Sequence, residues 1–543
     1  MNAVAPGARP PLYRNRLVLA VDALGLVIAV LAFINRIPAL WEPIHMYDEG
    51  LLLSISNVVL RGGVVFRDVY SNYPPGIYLL LALVWKVTGV SVLAPHVVAL
   101  LLQLGVAGMS GRLAGRVMGR PICMLPVGVI LGWIRGLELI PFAWLAGLFT
   151  LLVAVELLLR AVASNRRGLW IAAGAVFAAV SYFRHDLFVY AAPLFLALFV
   201  LPASWARWLG IEPPLRAKPA VWFLAAAGAA LAIFWLPLLL LAGPGPIAHD
   251  LLLDAAKYVA PARARPLPPL LKIIPSSLGI YLPVFLVGRF EGAVMLSLAG
   301  PVLALGLFAL LRWFGARAGA LAALLLVFVA LAVLPQLLGR TDPNHALYCM
   351  APGAAASYAL FELCGRKLKW RPVGLLVILA PSLMLAYPVY PRIWPTPRVM
   401  VPKPDPARAL GLARLGSINE ANAVLAASRR DLIKFVQTNT GPDEAVYFGN
   451  LFHSHADVNE SELYFLVDRR PGTRYVNFDP GLVDRAEVQA QMIRQLEANH
   501  VRVIALSSRV RGQGPGARLL DDYLARNYPV VGTSGLYSLR LRR

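Results

Sequence analysis

The stretch YDEGLLLSISNVVLRGGVVFRDVYSNYPPGIYLLLAL, residues 47–83, decides how the rest of the chain is read. It lies between apolar runs at 17–34 and 94–111 and carries an acidic pair, a glycine pair and a proline pair. After Asp48, the residues Leu51, Leu52, Ile55, Val58 and Val59 recur at helical spacing. Ser54, Asn57 and Arg61 fall on the opposite face, which predicts an amphipathic helix on a membrane surface. Gly62-Gly63 ends it. Pro74-Pro75 opens a second apolar stretch to about residue 88. That stretch reads as interfacial, because a span there would turn the later Arg-rich loops outward.

The composition supports a membrane setting. Of 543 residues, 58% are hydrophobic and 15% charged, where soluble proteins carry about 25% charged residues. A soluble enzyme, a disordered chain and a disulfide scaffold are excluded. A bilayer-crossing helix needs about 20 apolar residues. Eleven spans are expected near 17–34, 94–111, 121–134, 138–159, 168–183, 187–203, 219–242, 293–311, 318–338, 346–363 and 372–390. The Pro-broken stretch 270–288 adds a further span or a re-entrant element. The expected fold class is a polytopic α-helical membrane protein of about 11–13 transmembrane helices, followed by a C-terminal extracytoplasmic α/β domain.

The formal charge is +22, and residues 1–390 hold 30 Lys/Arg against 14 Asp/Glu. Most of these cations sit in short loops, which signals topology and argues against nucleic acid. With a cytoplasmic N-terminus, 18 basic residues face inward and 12 outward, the latter mostly in two long loops. The first apolar run has no small-residue cleavage site after it and reads as an uncleaved helix. Cys123, Cys349 and Cys364 form neither a disulfide framework nor a zinc pattern.

This orientation gathers the remaining polar clusters on one outer face. They are Tyr47-Asp48-Glu49, Arg67-Asp68, Glu138, Arg184-His185-Asp186, and Arg340-Thr341-Asp342-Pro343-Asn344-His345. Ionisable groups at membrane depth are costly and tend to line sites. A single outer site is therefore expected. The outer loop 243–292, with its prolines and basic residues, is expected to act as a lid. The Pro-rich run at 391–406 reads as a linker. Beyond it, helices near 421–439, 460–467, 484–499 and 516–527 alternate with strands at 445–449, 474–478, 501–506 and within 529–541. His453 and His455 read as ordinary loop histidines.

At an outer membrane face, activated sugars arrive on lipid carriers. Transfer to a hydroxyl needs one carboxylate to take the proton and cations to stabilise the departing phosphate. The sequence also resembles the glycosyltransferase C (GT-C) superfamily, closest to the bacterial branch related to protein O-mannosyltransferases and lipid-A aminoarabinose transferases. The likeness rests on YDEG at 47–50, GGVVFRD at 62–68 and PPGIY at 74–78, all after a first span. It implies that Asp48 is the catalytic base, with Glu49 as an orienting partner or the two roles exchanged. It also implies that Glu138 is a second acid. Some relatives place Lys or His before the double proline, where this chain has Tyr73. Arg340, His345, Arg67 or Arg184 would then supply the charge for the donor phosphate, with His185, Asp186 and Asp342 in support. The expected function is inverting transfer of a hexose or pentose from a polyprenyl-phosphate sugar. The acceptor would be a glycan, glycolipid or protein at the bacterial plasma membrane. No cofactor is required on this reading, and a divalent cation, though possible, is not expected. A transporter or flippase of lipid-linked sugars is the alternative, as is a sensory protein with an outer ligand-binding domain.

Overall fold

A computed structural model describes residues 16–134, 137–202, 204, 218–264, 289–315, 317–341, 343–367, 405–454, 459–509 and 514–543. The chain begins with α1 (Arg16–Arg36), α2 (Asp48–Leu60), α3 (Gly76–Thr88), α4 (Leu93–Met118), α5 (Met124–Ile134) and α6 (Ala143–Ser164). There follow α7 (Arg167–Phe183), α8 (His185–Val200) and α9 (Lys218–Ala242), then a helical run over 244–263 that includes two π-helical turns. α10 (Arg289–Trp313), α11 (Arg317–Gly339) and α12 (Pro343–Lys367) complete the membrane part.

Ten of the eleven expected spans fall on helices; the eleventh, 372–390, lies outside the described residues, as does 270–288. Among the described residues, five helices are long and apolar enough to cross a bilayer. α5, α7 and α8 are shorter, at 11, 17 and 16 residues. Their neighbours are packed through small residues. A side chain at Gly25 would strike the backbone of α5, and one at Gly128 the backbone of α1. Without a hydrophobic force between helices in lipid, such close approach supplies the association.

Basic residues read in the sequence as topology signals also brace the bundle. Arg112, Arg116 and Arg160 converge on Glu156, and Arg120 joins Asp22 of α1 to Glu362 of α12.

The C-terminal part comprises α13 (Ala423–Asn439), β1 (Ala445–Asn450), α14 (Glu462–Val467), β2 (Arg470–Pro471), α15 (Ala486–Ala498), β3 (Val503–Ser507), α16 (Leu519–Asn527), β4 (Val530–Ser534) and β5 (Tyr537–Leu541). The sheet order is β2-β1-β3-β5-β4, with β1 parallel to β2 and β3, and β5 antiparallel to β3 and β4. Both faces are buried. Val446 and Phe448 pack with Leu432 and Val436 of α13, while Tyr447 and Ile504 pack with Met492 and Leu496 of α15. The expected strand at 474–478 is not part of the sheet. The residues that pair are Arg470 and Pro471, and Tyr475, Val476 and Phe478 are buried outside any strand.

The same core that fills one face of this sheet continues into the segment of α2 and α3. Leu53, Ile55, Ile77, Leu81 and Trp85 share a buried cluster with Leu463, Phe465 and Val467, and the Trp85 and Phe465 rings stack at 5.5 Å. The polar face of α2, expected toward water, instead meets the C-terminal domain. Ser54 Oγ donates to the Ser461 carbonyl at 2.6 Å, and Asn57 donates to Asp468. On α3 the stripe Leu79, Leu83 and Val87 is exposed on one side, as suits contact with lipid.

The described part of the expected lid is tied down. Asp250 pairs with Arg474 and Asp254 with Arg485, both on the C-terminal domain. The remainder of that loop and the linker residues 391–404 lie outside the described residues.

Candidate active site

Asp48 is the first residue of α2, where an acid is favoured by the exposed N–H groups of the first turn. It is half-buried, and its N–H donates to His45 Nδ1 at 3.2 Å. Glu49 points elsewhere. It is only 2% exposed, and its carboxylate lies 2.7 Å from His96 Nε2. The other imidazole nitrogen donates to the Leu40 carbonyl at 2.7 Å. With Nδ1 committed to a carbonyl, Nε2 meets Glu49 only through a shared proton. The adjacent acids are therefore separated in place: Asp48 opens on a cavity, and Glu49 joins α2 to α4. His96 was not expected from the sequence, where it is a lone histidine beginning an apolar helix.

The cavity at Asp48 measures about 70 Å³. Leu51 and Leu52 of α2, Tyr73, Tyr78, and Phe142, Ala143 and Trp144 at the start of α6 form its wall. Arg184, Arg340, His345 and Tyr348 complete it. Five residues singled out in the sequence thus meet here from distant parts of the chain: Asp48, Tyr73, Arg184, Arg340 and His345.

Arg184 is held on every side. It donates bidentately to Asp186 at 2.7 and 3.0 Å and also to Gln336 Oε1 at 3.0 Å. Its guanidinium lies over the Tyr73 and Trp144 rings, at 5.0 and 5.7 Å from their centroids. Tyr73, where some relatives place a cation, is thus the platform for one. Gly147 makes room for it, since a Cβ there would sit 2.7 Å from Arg184 Cβ.

Other expected site residues lie apart. Arg67 does not reach this cavity. It forks onto its neighbour Asp68 at 2.9 and 2.8 Å and lines a different pocket. Glu138 is half-exposed and 3.9 Å from His45 Nε2, beside the cavity rather than in its wall. Partial burial pushes its carboxyl above the usual range, opposed by His45 and reinforced by Asp48, Glu49 and Glu42. His185 starts α8 with a buried Nδ1 that makes no hydrogen bond, and it does not line the cavity. Asp186 reaches it only through Arg184. Asp342 lies outside the described residues.

The C-terminal domain supports the segment around Asp48. The Tyr47 hydroxyl donates to Asp479, which also accepts from Asn72 at 3.5 Å and Asn477 at 3.1 Å. Gly50 packs so closely on α14 that a Cβ would lie 2.6 Å from the Glu462 nitrogen.

The cavity offers one carboxylate and one imidazole among its described lining residues, fewer ligands than a divalent cation usually takes. Elsewhere, His249, Asp250 and Asp254 bring ligand atoms within 4.8 Å of one another. Both of those aspartates are already engaged by arginines.

No protein-family model and no curated protein matches the sequence. Solved structures do. The Archaeoglobus fulgidus oligosaccharyltransferase, in complex with Zn and sulfate, aligns with a TM-score of 0.50 at 15% identity, covering 89% of this chain and 68% of that one. ArnT from Cupriavidus metallidurans in the apo state aligns with a TM-score of 0.50 at 14% identity, covering 95% of this chain and 97% of its own. The helical membrane part and the small C-terminal sheet give the same answer as these two alignments: the chain shares the fold of these solved structures.

Proposed function

We propose that the protein is a membrane glycosyltransferase that moves a sugar from a polyprenyl-phosphate donor to an acceptor hydroxyl at the outer face of a bacterial plasma membrane. The observation that carries this reading is the meeting of Asp48 with Arg184, Arg340 and His345 in one cavity. A carboxylate and a cationic cluster facing each other are the two parts that the transfer requires.

In the reaction, the acceptor oxygen attacks the anomeric carbon while Asp48 takes its proton. The bond from that carbon to the phosphate oxygen breaks, and the electron pair leaves with the phosphate. Arg184, Arg340 and His345 stabilise the charge that develops there. Arg184 needs little reorganisation because Asp186, Gln336 and the Tyr73 ring already fix it. Attack opposite the leaving phosphate inverts the anomeric centre, since retention would need a second carboxylate as nucleophile. The apolar helices offer a path for the prenyl chain. No metal is assigned a step, because the described lining of the cavity offers one carboxylate and one imidazole.

The test is transfer from a panel of radiolabelled polyprenyl-phosphate hexoses and pentoses, with protein in nanodiscs and envelope extract as acceptor. Asp48→Asn keeps the shape of the side chain and removes the base. The expected result is a fall in transfer of about 10²–10⁴-fold with donor binding retained. Undiminished transfer by Asp48→Asn removes that residue from the mechanism.

A further inference from the structure

A second and much larger pocket, about 900 Å³, lies at the other end of α2. Its walls are the α2 C-terminus and the turn after it on one side, and β2 with the end of α15 on the other. Thirteen residues at about 1.5 Å rise put Arg61 about 20 Å from Asp48. Five arginines line it (Arg61, Arg67, Arg469, Arg470 and Arg474) against two aspartates, Asp68 and Asp443.

The charges are not all neutralised within the chain. Arg61 is paired with Asp468, Arg67 with Asp68, and Arg474 with Asp250. Arg469 is different. Its guanidinium is held by Thr440 Oγ1 at 3.0 Å and by the carbonyls of Thr440, Val467 and Asp468 at 3.1–3.3 Å. Four neutral oxygens fix its position, and no carboxylate pairs with it among the described residues. The Arg470 side chain is exposed and makes no side-chain hydrogen bond or ion pair among the described residues, with Asp68 of the same pocket, already forked by Arg67, the acid whose charge it feels. Neutral hydrogen-bonding groups (Ser54, Asn57, Thr473, Gln495 and Asn499) fill the gaps between these cations. Fixed guanidinium groups select planar or tetrahedral anions, and interspersed amides and hydroxyls suit sugar hydroxyls.

We infer that this pocket binds an anionic oligosaccharide, the part of the acceptor that lies beyond the sugar being modified at Asp48. The inference rests on the glycosyltransferase reading and deepens it by naming the acceptor class. The anion is either a uronic carboxylate or a sugar phosphate, and both would meet the same arginines. Arg67 belongs to this pocket, which accounts for a basic residue of the first outer loop that the cavity at Asp48 does not use.

The experiment measures binding to full-length protein in nanodiscs by calorimetry. The probes are trigalacturonic acid, a glucosamine disaccharide bisphosphate, and neutral maltotriose. The expected result is saturable binding of at least one anionic probe, weaker as salt rises, and none of maltotriose. Arg67→Glu and Arg470→Glu, both on exposed side chains, should each weaken it at least tenfold while leaving the thermal midpoint unchanged. Asp48→Asn should bind the anionic probe like wild type, so failure of the catalytic reading stays distinguishable. Equal binding of neutral and anionic probes, binding unaffected by the two arginine variants, or no binding of either anion overturns the inference.

Discussion

Two adjacent acids, Asp48 and Glu49, carry the main ambiguity of the sequence, and their side chains part: Asp48 lines the cavity while Glu49 turns to His96. Their ionisable character and their place after the first span were legible, as was the cationic set Arg184, Arg340 and His345. What could not be read was which acid had a private partner, because His96 is 47 residues away and looks like any histidine in an apolar helix. Arg67 was misassigned for a related reason: proximity in sequence to Asp48 does not reveal that a helix about 20 Å long stands between them. The pairing makes a prediction. Glu49→Ala strands a buried imidazole that can shed its proton, so the cost is that of an unmade buried hydrogen bond, about 1–3 kcal/mol. A drop in thermal midpoint in detergent is expected for Glu49→Ala and none for Asp48→Asn. Glu49→Gln, which keeps a polar partner for His96, should retain most transfer activity. Loss of transfer in Glu49→Gln with its retention in Asp48→Asn would reverse the two roles.

At the scale of elements, periodicity located helices well and their surroundings poorly. α2 was legible as an amphipathic helix from Leu51, Leu52, Ile55, Val58 and Val59. Its polar stripe carries no mark distinguishing water from a folded domain, and Ser54 and Asn57 are in fact spent on Ser461 and Asp468. The missing strand has a similar origin. Tyr475, Val476 and Phe478 have strand-like composition, but side chains take their backbone groups: Thr473 Oγ1 donates to the Tyr475 carbonyl at 3.2 Å, and Asn459 donates to the Val476 carbonyl and accepts from the Phe478 N–H, both at 3.0 Å. The neighbouring Arg474 carbonyl accepts from the Tyr70 N–H at 2.8 Å, which ties this segment to the loop before α3. These contacts make the C-terminal domain part of the support for Asp48. Tyr47→Phe removes only the hydroxyl that Asp479 holds, a loss of about 1 kcal/mol in stability. Because the freed segment carries Asp48, the proposed base, the expected effect is a several-fold fall in kcat with donor KM unchanged. Steady-state kinetics with whichever donor of the panel is transferred check this, and a rise in KM alone would show that Tyr47 serves binding instead.

For the whole molecule, the consequence of one shared core is that events in the C-terminal domain reach α2, and acidity is the lever. Arg429 is buried among Glu420, Glu460 and Glu462, with Tyr537 against the same group and half-buried Arg509 also on Glu460. Three carboxylates face one buried guanidinium and one more exposed one. One of them is therefore expected to keep its proton. Burial pushes Glu462 up to about 8, with Arg429 opposing and Glu460 adding to the shift. Burial likewise raises Asp250 to about 7, although Arg474 lies against it. In the unfolded chain both groups titrate near 4. Between about pH 4 and 8 the native state thus holds protons that the unfolded state has released, and stability falls as pH rises. The contribution is complete below about pH 4 and gone once pH passes about 8. Thermal midpoints at fixed detergent should decline from pH 5.5 to 8.5. Glu462→Gln, which mimics the protonated form, should flatten that decline. A midpoint that climbs over this range, or a glutamine variant with the slope of wild type, would show that Glu462 is ionised in the native protein. Since the Glu462 nitrogen abuts Gly50, two residues after Asp48, the same alkaline loosening should lower transfer activity in wild type more than in Glu462→Gln.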